Sequence, residues 1–211
     1  MTSKFTEAST VQAGIIERLA QPDLGWKHVH GKDLDRTVDG VLVEADLIDA
    51  LIRLNPAIAE QPERVEEVLP RIRLNIISAV NDGLVAANER MTTILRGHDT
   101  RKFAGTDNYE SIRLIDFEHL ENNRFVVSDE VTYGHGPHAR RFDIVLWVNG
   151  IPLVVGEAKS PVDSKVSWFN GAKDVHGTYE VEAAPFFSTN VLPVAPAGGA
   201  EARRGGNGGW S

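Results

Sequence analysis

Three ionisable residues stand where a chain seldom tolerates them. Asp143, Glu157 and Lys159 lie in RRFDIVLWVNGIPLVVGEAKSP, residues 140–161, at the outer ends of two apolar runs, 144–148 and 151–155. The runs are rich in β-branched residues and meet at Asn149-Gly150, the dipeptide with the strongest short-range hairpin signal. They predict two buried antiparallel strands. Burying unpaired charge is costly, so the two carboxylates and the amine must share one site or a metal ion. A purely structural ion pair is the alternative reading of the same residues.

An Asp at one strand end, followed fourteen positions later by Glu-x-Lys at the next, resembles the PD-(D/E)XK pattern of metal-dependent nucleases. The residue types suit that chemistry. Phosphodiester cleavage uses Mg²⁺ to polarise the phosphate and acidify a water, and Mg²⁺ prefers one or two carboxylates while keeping several waters. Asp143 and Glu157 would supply those ligands, with the backbone carbonyl of Ala158. Lys159, on the face of Glu157, would hold the attacking water and offset charge building on the phosphate. The tripeptide alone is a weak signal, since Asp163-Ser164-Lys165 is a second hit in a polar segment with no apolar strand before it.

The longer string is more specific. It resembles the nuclease domain that opens the R (restriction) subunit of type I restriction-modification enzymes, where an Arg, an Asp, an apolar strand, Asn-Gly-x-Pro and Glu-x-Lys occur in this order. KFTEASTVQAGIIERLA, GWKHVHGKDL, VEADLIDALIRLNP and RLIDFEHLENNRFVVSDEVTY resemble neighbouring parts of that domain, so the likeness covers roughly residues 4 to 194. It implies an α/β fold: a mixed central sheet flanked by helices, the restriction-endonuclease-like core, with a helical segment inserted at about 43–96. It also implies a Mg²⁺-dependent endodeoxyribonuclease with Asp143, Glu157 and Lys159 as catalytic residues. Its partners would be DNA and the methyltransferase (modification) and specificity subunits. Glu7 is the position matching an acidic residue that related nucleases bring toward the metal from a first helix; complementing the helix dipole is its other reading. Similar nucleases keep a Gln one turn before a Tyr near the DNA. Here Tyr179 is retained, but Asp174 and Val175 stand where that Gln is expected, and Tyr179 is equally readable as a packing residue.

Composition bounds the function. The 211 residues, 42% hydrophobic, suffice for one good core, and one domain is expected over 1–195. The glycine-rich stretch 196–211 predicts a disordered tail and a truncated terminus. No apolar run approaches a membrane span and MTSKFTEAST is no secretory leader, so a cytoplasmic location is expected. Zero cysteines exclude disulfides and thiolate zinc sites. No phosphate loop is present, so ATP could act only through motor domains outside these residues. The net charge of −8 argues against DNA binding over the whole surface. The motif region carries a small basic excess, from which Arg140, Arg141, Lys165 and Lys173 are the candidate DNA contacts.

The elements that must position these residues follow from periodicity. A helix capped by Thr6 carries Val11, Ile15 and Leu19 and stops at Gln21-Pro22. Gly25 to Gly40 reads as turn-rich; His28 and His30 in it suggest a metal pair, but no third ligand lies at a useful spacing, so a solvated loop or strand edge is expected. His135 and His138 read likewise as loop residues. Val43–Leu54 is a helical stripe ending at Asn55-Pro56. A second stripe starts at Pro62, breaks or restarts at Pro70, and continues through Ile72, Ile76, Ile77 and Val80; Leu84–Leu95 is one more helix. Ser111–Phe117 and Arg124–Val131 read as strands extending the sheet, Ser167–Glu182 as a helix, and Phe186–Val194 as a last strand.

Hairpin register poses a conflict. A two-residue turn at Asn149-Gly150 pairs Asp143 with Gly156 and sends Glu157 and Lys159 to the opposite face. A three-residue loop over 148–150, with Gly150 in the left-handed region, brings all three to one face; a bulge near Pro152 would do the same. A competing function is a truncated, catalytically weak or inactive docking module for restriction-modification partners, suggested by the missing motor, the missing Gln and the glycine-rich tail.

Overall fold

The computed structural model describes residues 7–157 and 183–194, and the architecture is a mixed sheet flanked by helices. Its helices are α1 (Glu7–Leu19), α2 (Glu44–Leu54), α3 (Pro56–Glu60), α4 (Val65–Ser78), α5 (Leu84–Leu95) and the short α6 (Ala184–Phe187). Its strands are β1 (Lys27–His28), β2 (Thr100–Arg101), β3 (Glu110–Ser111), β4 (Phe125–Tyr133), β5 (Arg140–Val148), β6 (Ile151–Gly156) and β7 (Leu192–Val194). Five of them form the main sheet in the order β1-β4-β5-β6-β7, while β2 and β3 pair apart from it. The central pairs β4–β5 and β5–β6 are antiparallel, and the flanking strands β1 and β7 run parallel to their neighbours. This is the expected α/β class with a restriction-endonuclease-like core. Helix α1 packs against β4.

The hairpin tip is the best-anchored point of the sheet. Asn149 and Gly150 both have positive φ, 51° and 76°, the geometry of a type I′ two-residue turn. Gly150 is required for a second reason: a Cβ there would lie 2.2 Å from the Val43 carbonyl oxygen. The Val43 amide in turn donates to the Gly150 carbonyl at 2.9 Å, docking the tip on the start of α2. Asn149 is fully buried. Its side-chain amide donates to the Leu114 carbonyl (2.8 Å) and to Asn123 Oδ1 (2.9 Å), and its Oδ1 accepts from the Arg124 amide at 2.8 Å.

Between strand and helix the core is aromatic. Phe186 of α6 packs on Phe142 and Trp147 of β5 and Tyr133 of β4, with centroids 4.7 to 5.9 Å apart. Arg36 lies over Trp147 and Phe186 and donates to the carbonyls of Gly40 and Thr132; burial lowers its pKa from the ordinary arginine value.

Four expectations change. Residues 112–117 are not a strand, because polar side chains take the backbone bonds a ladder would have used. Asn55 binds Arg113 through both its amide (2.9 Å) and its carbonyl (2.7 Å), and Asp116 Oδ1 accepts from the amides of Glu118 and His119. Pro70 does not break α4: it sits in the second turn, and the acceptor it leaves without an N–H partner is the carbonyl of Glu66, an exposed residue. Beyond Ile72 and Ile76 the predicted stripe turns outward, leaving Ile77 and Val80 58% and 66% exposed, and Leu74 beside them is 68% exposed. Only 192–194 of the predicted last strand is extended; Phe186 and Phe187 are helical, which buries both rings. The predicted helix 167–182 and the tail 196–211 lie outside the described residues.

Two predictions follow from these bonds. Asn149→Ala removes the bonds to the buried Leu114 carbonyl, the Arg124 amide and Asn123 Oδ1 and should destabilise by on the order of 3 kcal/mol; Gly150→Ala combines strain with a clash and should cost more than about 1 kcal/mol. Urea unfolding midpoints measure both, and wild-type midpoints would contradict the role given to the tip. The Asp116 carboxyl is held below the ordinary carboxylate range by the Asn122 amide and the His119 backbone amide. A depressed folded-state pKa means its contribution is complete above about pH 4 and is lost as pH falls through the folded value. The stability gap between wild type and Asp116→Ala should therefore be constant from neutral pH down to that point and narrow in more acid solution.

Candidate functional site

Alternation along β5 and β6 decides whether the motif carboxylates can meet. Next to the turn, Val148 faces Ile151 and Trp147 faces Pro152, the register of a two-residue loop. The pairing then shifts: Leu146 faces Val154, Val145 faces Val155 and Ile144 faces Gly156, leaving Leu153 as the extra residue. The three-residue loop expected as the first solution is not formed. The second solution is, and its place follows from Pro152, which has no N–H to give to a ladder.

The bulge restores the shared face. One step beyond Ile144 and Gly156, the shifted register sets Asp143 opposite Glu157, and both residues are half-buried. Asp143 is also fastened through its backbone. Gln12 of α1 donates from Nε2 to the Asp143 carbonyl at 2.7 Å, so the first helix is tied to the strand position that bears the carboxylate. Sequence reading missed Gln12, since a single amide on a helix carries no signal of a partner 131 residues away.

Across β4, Glu130 stands opposite Asp143, between the pairs Asp129–Ile144 and Val131–Phe142. Its φ of 50° is left-handed, an unusual conformation for a glutamate inside a strand. Its exposed carboxylate pairs with Arg141 at 3.3 Å. Arg140 opens the same strand and donates to the Ala139 carbonyl at 2.9 Å. Both arginines thus lie at the Asp143 end of β5. Glu7 opens α1, but its side chain lies outside the described residues, as do Ala158, Lys159, Lys165, Lys173 and Tyr179.

A second cluster gathers residues that the sequence separates. His28 on β1 runs beside Val127 of β4, which brings His28 Nε2 to 3.0 Å and His30 Nδ1 to 2.8 Å from Asp129 Oδ1. Asp129 is the third group that the spacing of the two histidines did not reveal. Burial pushes the Asp129 carboxyl upward, but hydrogen bonds, led by His28 and including His30, outweigh it and hold the group below its ordinary value. His135 and His138 are exposed, as expected, in the turn before β5; His135 pairs with Asp39 at 2.9 Å. Among the described residues no helix is long and apolar enough to cross a membrane.

The donor chemistry of the two places differs. Asp143 and Glu157 offer hard carboxylate oxygens, a set that fits Mg²⁺. The His28–His30–Asp129 group offers two imidazole nitrogens and one carboxylate.

Comparison with known proteins identifies the family. Residues 4–199 match the family described as type I restriction enzyme R protein N terminus. The type I restriction enzyme HindI endonuclease subunit of Haemophilus influenzae is 32% identical over 178 residues, covering 79% of this chain and 16% of the relative. A protein of Methanocaldococcus jannaschii, provisionally named the MjaIXP endonuclease subunit of a type I restriction enzyme, is 24% identical over 176 residues, covering 78% of this chain and 16% of the relative. The chain therefore spans about one sixth of the length of these relatives.

Proposed function

We infer the function from the premise that this chain belongs to the type I restriction enzyme R protein N-terminal family, matched over residues 4–199. On that premise the end of the β5–β6 hairpin is the centre of a metal-dependent endodeoxyribonuclease acting in restriction of foreign DNA. The single observation that carries the reading is the bulge at Leu153. Without it, Asp143 and Glu157 would stand on opposite faces of the sheet and could not share an ion.

Asp143 and Glu157 would hold Mg²⁺, with the Ala158 carbonyl and Glu7 as further ligands. When bound, the ion supplies Lewis-acid polarisation of the phosphate and a more acidic water. The chain's own residues do the positioning. Gln12 fixes the backbone of Asp143, and buried Phe142 and Ile144 hold the strand on either side. Lys159 donates to the attacking water and offsets negative charge on the phosphate in the transition state. Arg140, Arg141, Lys165 and Lys173 contact DNA phosphates, which orient the duplex without reading its sequence; Tyr179 steadies the strand near the ion.

Target choice and ATP-driven movement belong to other parts of the assembly: a specificity subunit, a methyltransferase subunit and motor domains that these residues do not include. Cleavage by this chain alone should therefore be slow and sequence-independent.

A supercoiled-plasmid nicking assay with Mg²⁺ or Mn²⁺ tests the assignment. Asp143→Ala, Glu157→Ala and Lys159→Ala should each lower the nicking rate by on the order of 100-fold, with circular dichroism confirming a retained fold. Calorimetry should show Mn²⁺ binding that disappears in Asp143→Ala. Equal nicking by all four proteins would overturn the site. Absence of nicking by the wild type, with Mn²⁺ binding equal in wild type and Asp143→Ala, would leave the docking-module reading.

A further inference from the structure

We propose that His28, His30 and Asp129 form a second cation site, built for a borderline transition-metal dication of the Zn²⁺, Co²⁺ or Ni²⁺ class and separate from the Asp143–Glu157 pair. The three donor atoms already converge, all lying within 4.8 Å of one another. Ligand atoms held at about 2.0–2.1 Å around one tetrahedral ion sit about 3.3 Å apart. The observed contacts of 3.0 Å and 2.8 Å to Asp129 Oδ1 are a few tenths of an ångström from that spacing, and the two imidazole nitrogens lie within 4.8 Å of each other.

Backbone constraints, rather than chance rotamers, hold the group together. His28 and His30 are two apart on one extended segment, so their rings share a side, 4.7 Å between centroids. The segment is fastened to β4 by the pair His28–Val127 and by the Val29 amide on the Val127 carbonyl at 3.0 Å. Immediately after His30, Gly31 lies so close to β4 that a Cβ would be 2.7 Å from the carbonyl oxygens of both Asp129 and Glu130. Only glycine permits this approach, and the approach seats His30 over Asp129.

The surroundings complete the site. A cavity of about 590 Å³ opens on His28 and Asp129 and is lined on its other walls by Gln12, Ile16, Glu17 and Glu130. It leaves room for water in the remaining coordination positions and adds two carboxylates to the local field. Two imidazoles with one carboxylate favour Zn²⁺, Co²⁺ or Ni²⁺ over Mg²⁺, which prefers oxygen ligands only. The position is also distinct: Asp129 pairs with Ile144 and not with Asp143, which the shifted register sets opposite Glu157. An ion there would clip the two-residue edge strand β1 to β4.

The test uses the full chain carrying Asp143→Ala and Glu157→Ala, so that the proposed Mg²⁺ ligands cannot contribute. Zn²⁺ calorimetry and the visible absorption of Co²⁺ should report one bound ion, and Zn²⁺ should raise the melting temperature until a chelator reverses it. His30→Gln, at a side chain more than half exposed, and Asp129→Asn, which keeps a hydrogen-bond acceptor, should each weaken binding by more than the roughly 10–100-fold typical of losing an outer-shell partner. His135→Gln should leave it unchanged. No Zn²⁺ binding, or binding that survives both His30→Gln and Asp129→Asn, would overturn the proposal and leave the trio as a hydrogen-bonded clasp.

Discussion

Everything that matters in this sheet is referred to one buried amide. Asn149 occupies a turn, a place where side chains ordinarily meet water, yet it is sealed inside and bound to Leu114, Asn123 and Arg124 at once. A polar group so enclosed must be satisfied or it destabilises the fold, and here full satisfaction demands that three segments, the hairpin tip, residue 114 and residues 123–124, arrive together. The hairpin tip thereby becomes a fixed origin. Gly150 adds a fourth segment, since its lack of a side chain lets the start of α2 close on it.

From that origin, position along the hairpin is counted outward, and the count would fail without Leu153. The tip is a regular two-residue turn, whose natural register separates Asp143 from Glu157. One extra residue beside Pro152 reverses the facing of everything beyond it. The proline that makes the ladder irregular and the residue that corrects its phase are thus neighbours, and the half-buried carboxylates are the part of the structure that depends on both.

Much of this was legible in advance. The helical stripes over 7–19 and 44–54 follow from periodicity with clear stops, because helix boundaries are local matters. The parity conflict could also be read from the sequence, since it needs only counting; which of two solutions relieved it could not, because that depends on how the tip docks. Nothing local revealed that Asn55 and Asp116 would capture the backbone of 112–119, so residues with a strand's alternation became a loop. Asp129 likewise had no visible link to His28 and His30, which are about a hundred residues away and meet it only through the parallel pairing of β1 with β4. The exposed turn of α4 has a similar origin: its apolar residues continue past the face that the core can cover.

That outward face bears on the colloidal behaviour of the chain. Leu74, Ile77 and Val80 follow one another at three-residue intervals along α4 and the turn after it, presenting a ridge of hydrocarbon to solvent. At neutral pH a net charge of −8 makes copies repel before such ridges can touch. The repulsion vanishes near the isoelectric point of about 5.4, where short-range apolar attraction is left unopposed. Mild acid should thus promote self-association through this ridge well before it titrates the carboxylates that hold the fold together.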